Sequence, residues 1–230
     1  MKTIGLLGGM SWESTANYYK AINEGVKAAK GGFHSAKIAL YSVDFAEIEA
    51  MQRKGDWQGA AEHLSQAAQS IQSAGADALL ICTNTMHKVA PEIEAKLSIP
   101  LIHIADTTAQ VLAKDGISKV GLLGTAFTME QDFYKGRLEQ QFGIDVLTPI
   151  HSQRKLIHDV IYQELVKGEI RSPSKQEYLR IVDDLAARGA QAIILGCTEI
   201  AMLIKQSDTR IPLYDTTQIH SEAAVNFALS

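Results

Sequence analysis

The chain has 230 residues and a formal net charge of −4, with 46% hydrophobic and 21% charged residues. That balance is typical of a globular protein long enough for one large or two small domains. It lacks the basic stretches that nucleic-acid binding needs, and no apolar run reaches the length of a membrane span or a signal-peptide core. We therefore expect a cytoplasmic protein that has no nucleic-acid or membrane partner and keeps its two cysteines reduced.

Short apolar runs bounded by Gly, Pro or Asp alternate along the chain with segments of helical spacing. The runs have the length and composition of buried parallel strands. We predict strands near residues 3–8, 37–43, 78–82, 100–103, 119–124, 144–148, 192–196 and 211–214. A helix over residues 62–74 is predicted to end at Gly75, and the patterns at residues 128–131 and 174–177 predict capping boxes that open helices.

Four landmarks recur in the same order in the two halves of the chain, which indicates an internal duplication. Three of them are short runs: IGLLG at 4–8 returns as VGLLG at 120–124, IPL at 99–101 returns at 211–213, and DTT at 106–108 returns at 215–217. The fourth is the pair of cysteines, Cys82 and Cys197. Each follows an apolar run after a Gly-Ala pair and precedes a threonine, so the two are predicted to lie in matching places.

The predicted fold is α/β, with two similar doubly wound units of four parallel strands each. We place the N-terminal unit at residues 1–115 and the C-terminal unit at residues 116–230, with a crossing-over of the C-terminal helix as an open alternative. Ligands of doubly wound sheets bind at the carboxyl ends of the strands. Two units related by pseudo-two-fold symmetry therefore predict an active site in the cleft where those ends face each other.

Short segments rich in small polar residues follow the predicted strands, and they offer mainly hydroxyls and backbone N–H groups. The set comprises Met10, Ser11, Cys82, Thr83, Asn84, Thr85, Thr125, Thr128, Cys197, Thr198 and Glu199. Helices are predicted to begin just after these turns, and helix N-termini favour anions such as a substrate carboxylate. The same dipoles are expected to lower the pKa of a nearby thiol from its usual value of about 8.5.

Two thiols in matching places favour one chemistry over its alternatives. Disulfide exchange usually uses a Cys-X-X-Cys motif, which this sequence lacks, and the scattered histidines do not complete a zinc site. Two opposed acid/base groups suit the removal of a proton from one face of a carbon and the return of a proton to the other face. Each group then needs a pKa near the working pH. The pattern predicts racemisation or epimerisation by a two-base mechanism.

Three motifs extend this interpretation: IGLLGGMSWEST at residues 4–15, CTNTMH at residues 82–87 and LGCTEI at residues 195–200. Together they resemble the aspartate/glutamate racemase family, which also includes hydantoin racemases and maleate isomerases. The resemblance implies a cofactor-independent racemase with two similar domains, often a dimer, that acts on aspartate or glutamate. It also implies a substrate contact in the stretch around Gln52. Arg53 is a candidate partner for the substrate's side-chain carboxylate, and an exposed arginine is the alternative.

One departure from the family pattern concerns the first cysteine. Many members have Cys-Asn-Thr, whereas this chain has Cys82-Thr83-Asn84-Thr85. If Asn84 and Thr85 keep their places, Thr83 stands at the position of the catalytic cysteine, and a one-residue shift along a strand turns a side chain to the opposite face. Either a bulged strand end points Cys82 at the substrate, or Cys82 is buried and Thr83 faces the substrate. We favour Thr83.

The sequence therefore predicts a racemase of a small acidic amino acid that uses neither pyridoxal phosphate nor metal and forms a homodimer. Cys197 is expected to serve one face of Cα, and Thr83 or Cys82 the other. The remaining strand-end donors are expected to hold the carboxylates, and Glu199 to orient the thiol or the substrate ammonium. The alternatives are a broad-specificity amino-acid racemase, a related isomerase or decarboxylase of small acids, and a two-lobed sensor that binds an acid without reaction.

Overall fold

The computed structural model describes residues 1–230, and the chain divides into two compact units. The first unit contains residues 1–104 and 220–230, and the second contains residues 105–219. This division differs from the predicted boundary between residues 115 and 116. The chain leaves the first unit after Ile104 and returns to it at His220, so each unit includes a helix from the other half of the sequence.

The first unit is built on a three-stranded parallel sheet in the order β2-β1-β3. Its strands are β1 (Thr3–Gly8), β2 (Lys37–Ser42) and β3 (Ala78–Ile81). The strand predicted at residues 100–103 is reduced to a single parallel bridge between Leu79 and Leu101. It does not extend because the next helix begins at Ile104.

Helices cover both faces of this sheet, as expected for strands that are apolar on both sides. They are α1 (Trp12–Lys30), α2 (Phe45–Lys54), α3 (Trp57–Ser73), α4 (Ala90–Glu94) and most of α11 (Thr216–Leu229). Buried residues of α2, α3 and α4 form one apolar cluster with Leu7, Leu79 and Ile81. Buried residues of α1 and α11 form a second cluster with Ile4 and Leu6.

Helix α3 illustrates how local sequence and packing combine. It begins earlier than predicted, because the Asp56 side chain caps it by accepting a hydrogen bond from the Gly59 N–H at 2.9 Å. Its C-terminus is close to the predicted place, and Gly75 follows with a φ of +90°. A Cβ on Gly5 of β1 would lie 2.5 Å from Ile71 of this helix. The glycine in the first IGLLG run therefore allows α3 to pack closely on the sheet.

The second unit is built on a four-stranded parallel sheet in the order β5-β4-β6-β7. Its strands are β4 (Lys119–Gly124), β5 (Asp145–Leu147), β6 (Ala192–Gly196) and β7 (Leu213–Asp215). Its helices are most of α5 (Ile104–Lys114), α6 (Ala126–Glu130), α7 (Lys135–Phe142), α8 (His151–Gln163), α9 (Ser172–Ala187) and α10 (Ile200–Leu203). The predicted α/β class with parallel sheets is confirmed.

Both predicted capping boxes in the second unit are wrong. Helix α6 begins at Ala126 because Thr125, not Thr128, is its N-cap and accepts a hydrogen bond from the Thr128 N–H at 3.3 Å. Helix α9 begins at Ser172, and the Ser174 hydroxyl donates instead to Glu164 at 2.7 Å. In both helices the start signal in the sequence lies inside the first turn, because the helix begins at an earlier residue.

In each unit the first strand in the chain lies between two later strands, so the strand order reverses at this strand. β1 lies between β2 and β3, and β4 lies between β5 and β6. Ligands of doubly wound sheets bind at such switch points, outside the carboxyl ends of the strands. The turns after β1 and β3, and after β4 and β6, are therefore the places where a site is expected. None of the helices is both long enough and apolar enough to cross a membrane.

Candidate active site

The turns after β1 and β3 are joined by hydroxyl groups. Ser11 is the N-cap of α1, and its side chain accepts a hydrogen bond from the Ser14 N–H at 3.3 Å. The Ser14 hydroxyl in turn donates to the backbone carbonyl of Cys82 at 2.9 Å. Thr15 accepts from the Gly9 N–H at 2.8 Å and donates to the Ser11 carbonyl at 2.9 Å. These bonds hold Ser11 and the residues after β3 at the same switch point.

Glycines make the turn after β1 tight. Gly9 has a φ of +95°, and a Cβ at this position would collide with the backbone of Val43. A Cβ at Gly8 would collide with the Thr15 side chain. The GGMS sequence therefore brings the start of α1 directly against the strand ends, and Met10 beside it is buried in the apolar cluster.

The strand register of the first unit fixes the position of its cysteine. Leu7 of β1 pairs with Ile81 of β3, so Cys82 stands level with Gly8, the last residue of β1. Thr83 stands one residue beyond that level.

The register of the second unit differs by one residue. Leu123 of β4 pairs with Leu195 of β6, and Gly124 pairs with Gly196. Cys197 therefore stands one residue beyond the last residue of the central strand. The residue of the first unit in the equivalent place is the threonine after its cysteine, so the prediction that the two cysteines lie in matching places is wrong by one residue.

Cys82 belongs to the core of the first unit. Its side chain is fully buried in the apolar cluster that also contains Leu6, Tyr18 and Leu80. Burial raises the pKa of the Cys82 thiol well above its usual value, because an apolar surrounding disfavours the thiolate.

The next residues make the turn that follows. Thr83 is partly exposed, whereas Asn84 and Thr85 are buried. The Thr83 N–H donates to the Ile81 carbonyl at 2.9 Å, and the Thr83 carbonyl lies 2.8 Å from Nδ1 of His87. Of the four residues in the CTNT motif, Thr83 has the most accessible side chain.

Gln52 and Arg53 lie in the last turn of α2, and their surroundings differ. Gln52 is buried, and its amide nitrogen lies 2.9 Å from the sulfur of Met86, which follows the CTNT motif. The Arg53 side chain is 71% exposed and pairs with Glu49 at 3.7 Å. An exposed pair of this kind contributes little to stability, so the alternative of a surface arginine describes Arg53 in this structure.

Threonines line the turn after β4 in the second unit. Thr125 and Thr128 are both buried, and their hydroxyl oxygens lie 3.2 Å apart. The Ala126 N–H donates to Nδ1 of His158 at 3.2 Å. The predicted pair of hydroxyls is thus present at the switch point of this unit.

A carboxylate accompanies the thiol after β6. The Cys197 thiol donates to Oε2 of Glu199 at 3.0 Å, and the Thr198 hydroxyl donates to the same oxygen at 2.5 Å. All three side chains are buried, with 9% of Cys197 exposed. A carboxylate this close can orient the Sγ–H bond and can accept its proton.

The pKa of Cys197 is raised well above its usual value, first by burial and then by the negative charge of Glu199. The sequence predicted a lowered pKa from helix dipoles, and that prediction is wrong. The helix after the cysteine, α10, has only four residues, so its dipole is small. The adjacent carboxylate and the desolvation outweigh it.

Tyr178 is a residue near the candidate site that the sequence did not single out for it. Burial raises the pKa of Tyr178 in α9, and a thiolate at Cys197 would raise it further. No sequence signal marks Tyr178, because a buried tyrosine in α9 looks like an ordinary core residue. The CTNTMH motif includes His87, but its hydrogen bond to Thr83 is visible only in the folded chain.

The family model described as Asp/Glu/Hydantoin racemase matches residues 7–224. A crystal structure from Yersinia pestis, named as a candidate Asp/Glu racemase, is 55% identical, with a TM-score of 0.94 and complete coverage of both chains. An aspartate racemase homologue from Pyrococcus horikoshii OT3 is 31% identical, with a TM-score of 0.87 and complete coverage of both chains. The glutamate racemase of Persephonella marina is 26% identical over 58% of this chain and only 50% of its own length.

Proposed function

Because the chain belongs to the Asp/Glu/hydantoin racemase family, we propose that it is a cofactor-independent racemase of an acidic amino acid, aspartate or glutamate. The observation that carries the proposal is the pairing of polar strand ends at both switch points, with Cys197 beside Glu199 in one and Thr83 in the equivalent place of the other. Because the chemistry depends on a reduced thiol, we place the enzyme in the cytoplasm.

Cys197 is the proposed acid and base for one face of Cα. At neutral pH its raised pKa keeps it protonated, so it is ready to donate a proton. To act as a base it first transfers its proton to Glu199, which lies within hydrogen-bond distance. The thiolate then takes the Cα proton, and the thiol that results can return it.

Thr83 is the proposed group for the opposite face. It stands in the register position that Cys197 occupies in the second unit, and its side chain is partly accessible. Cys82 packs in the apolar cluster, which supports a structural role for its thiol. A hydroxyl is a much weaker base than a thiolate, so we propose that the two directions of reaction are unequal.

The carboxylates of the substrate are proposed to be held by hydroxyl, amide and backbone N–H donors at the strand ends. The proposed donors are Met10, Ser11, Asn84, Thr85, Thr125, Thr128 and Thr198. Helix α1 adds its N-terminal dipole, because it is long and its N-cap is Ser11. Gln52 is a further buried candidate, whereas Arg53 must leave its pair with Glu49 to take part.

Hydrogen exchange at Cα tests the proposed function. The wild-type enzyme and a Cys197→Ala variant are each incubated in D₂O with both enantiomers of aspartate and glutamate, and deuterium at Cα and optical purity are followed by NMR and chiral chromatography. We expect exchange and racemisation of at least one acidic amino acid with the wild type and loss of both with Cys197→Ala. Absence of exchange for all four compounds, or equal exchange by the variant, would contradict the proposal.

We also propose that the protein is a homodimer, and an exposed surface of the first unit supports a location for the contact. β2 is the edge strand of its sheet, and its Leu40 and Tyr41 are exposed. Phe33 before β2 and Trp12 and Tyr19 on α1 are exposed as well. An open strand edge with exposed apolar side chains is typical of a contact between proteins, and β2 with Leu40 and Tyr41 has both features.

Sedimentation analysis of Tyr41→Glu tests this contact, with Ile170→Glu as the matched control because Ile170 is an exposed apolar residue of the second unit. We expect a dimer for the wild type and the control and a monomer for Tyr41→Glu. A monomeric wild type contradicts the dimer, and a dimeric Tyr41→Glu contradicts this location.

A further inference from the structure

Three buried histidines lie together in the first unit, behind the turn that contains Thr83. The ring centroids of His87 and His103 are 4.6 Å apart, and those of His87 and His220 are 5.9 Å apart. The proposed mechanism uses none of them. Their positions in the chain are separated by up to 133 residues, so only the fold brings them together.

His87 makes two hydrogen bonds that define its protonation. Its Nδ1 lies 2.8 Å from the carbonyl oxygen of Thr83, and a carbonyl can only accept, so Nδ1 carries the hydrogen. Its Nε2 accepts from the backbone N–H of Ile104 at 3.3 Å and therefore carries none. A second proton on the ring would remove that acceptor, so the ring performs both tasks only in its neutral form.

His220 forms a hydrogen bond to the same chain segment, residues 102–104, that His87 contacts. Its Nε2 lies 2.6 Å from the carbonyl of Ile102, and its Nδ1 lies 2.8 Å from the hydroxyl of Tyr18. The first unit ends its first stretch of chain at Ile104 and resumes at His220. Histidine side chains thus hold both places, Ile104 where the chain leaves this unit and His220 where it returns. Of these side chains, His87 also contacts Thr83.

The surroundings favour the neutral form of His87. The titratable groups that act on it are His103 and His220, and either of them, when protonated, would repel a positive ring. Burial acts in the same direction and makes the larger contribution, so the pKa of His87 lies well below its usual value. The pKa of His220 is lowered to about 4 by burial.

We propose that His87 is a positioning residue. Its Nδ1–H holds the turn that contains Thr83, and its Nε2 connects that turn to Ile104, where the chain leaves the first unit. The inference rests on the proposed function, because it assigns the position of the group that serves the second face of Cα. The last ladder hydrogen bond at this end of β3 runs from the Cys82 N–H to the Leu7 carbonyl at 2.9 Å, one residue before Thr83. A displacement of about 1 Å at a reacting group can lower a rate by about 10²-fold.

Two substitutions separate the two hydrogen bonds of His87. His87→Asn places an amide nitrogen near the position of Nδ1 and keeps the donor to Thr83. His87→Gln places an amide oxygen near the position of Nε2 and keeps the acceptor for Ile104 but loses the donor to Thr83. His34→Gln is the control, because His34 is exposed. Thermal melting of each variant reports whether it folds.

The first readout is the ratio of inversion to exchange with retention, measured in D₂O on the enantiomer that Cys197 deprotonates. Both outcomes share one intermediate, so general damage to the fold lowers both rates and leaves their ratio unchanged. We expect His87→Gln to lower the ratio by about 10- to 100-fold and His87→Asn and His34→Gln to stay within about threefold of the wild type. An unchanged ratio in His87→Gln, or an equal fall in both His87 variants, would overturn the proposal.

The second readout does not depend on activity. Amide hydrogen exchange of residues 83–85 should become faster in His87→Gln and stay near the wild-type rate in His87→Asn. Imidazole ¹⁵N shifts of the wild type should show the neutral Nδ1–H form of His87 from pH 6 to pH 9. A wild type without Cα exchange refutes the proposed function alone, whereas unchanged amide exchange or an Nε2–H form of His87 refutes this inference.

Discussion

The ends of β3 and β6 are the most instructive comparison in the molecule, because similar sequences produce different sites. Cys82 follows β3 and points into an apolar cluster, whereas Cys197 follows β6 and donates a hydrogen bond to Glu199. The difference originates in one residue of register, which turns the side chain to the other side of the sheet. A cysteine at a strand end can therefore take part in the reaction only when its register points its side chain away from the apolar core.

The largest expected effect comes from replacing each cysteine by serine. Cys197→Ser should lower kcat by about 10²- to 10⁴-fold, since a hydroxyl is a poor acid/base at Cα. Cys82→Ser should leave kcat within about threefold but lower the free energy of unfolding by about 1–3 kcal/mol, because it buries a hydroxyl in an apolar cluster. Steady-state kinetics and urea unfolding measure both. Comparable losses of kcat in the two variants would show that both thiols act on the substrate.

Substitutions of Thr83 test the end of β3 in the same way. Thr83→Ala should lower the rate of racemisation by about 10- to 100-fold, while exchange with retention through Cys197 persists. Thr83→Cys should make the rates from the two enantiomers more equal, because it gives the first unit a thiol at the register position that Cys197 occupies in the second unit. Chiral chromatography from each pure enantiomer measures the rates. Full activity in Thr83→Ala would remove the residue from the mechanism.

A smaller effect is expected from the carboxylate beside the second thiol. The negative charge of Glu199 raises the pKa of Cys197, so Glu199→Gln should lower that pKa and form the thiolate at a lower pH. Alkylation of Cys197 by iodoacetamide should then be about tenfold faster at pH 8 than in the wild type. Peptide mass spectrometry over a pH series measures it, with Cys82 unmodified in both proteins as the internal control. An alkylation profile that does not move would contradict the coupling between Glu199 and the thiol.

A pH-dependent effect on stability is expected from the buried histidines that support the first strand end. The pKa of His220 falls from 6.5 to about 4 on folding, so its contribution to stability is complete above pH 6.5 and is lost as the pH falls toward 4. The slope from this one residue is about 1.4 kcal/mol per pH unit. Urea unfolding between pH 7 and pH 4 should show a flatter dependence in His220→Gln than in the wild type. Parallel slopes would contradict a neutral, buried His220.

Much of the fold can be predicted from the sequence, because buried parallel strands leave uninterrupted apolar runs. The runs at residues 4–8 and 120–124 become β1 and β4, and the residues after the strands come to the switch points as expected. The run at residues 100–103 was misleading, since its pairing is limited to one bridge. Helix starts were less predictable, because Ser174 found a partner in Glu164 instead of capping its helix.

By itself the sequence determined the parallel α/β architecture, the duplication and the residues that follow the strands, since these depend on local periodicity and on motifs. It also contained the register signal: Cys82 lies seven residues after Gly75, whereas Cys197 lies eight after Gly189. Only the tertiary structure decided which of these side chains meets a polar partner. The burial of Cys82, the carboxylate at Cys197 and the histidines behind Thr83 depend on residues that are distant in sequence, and burial and charge are properties of the folded surroundings.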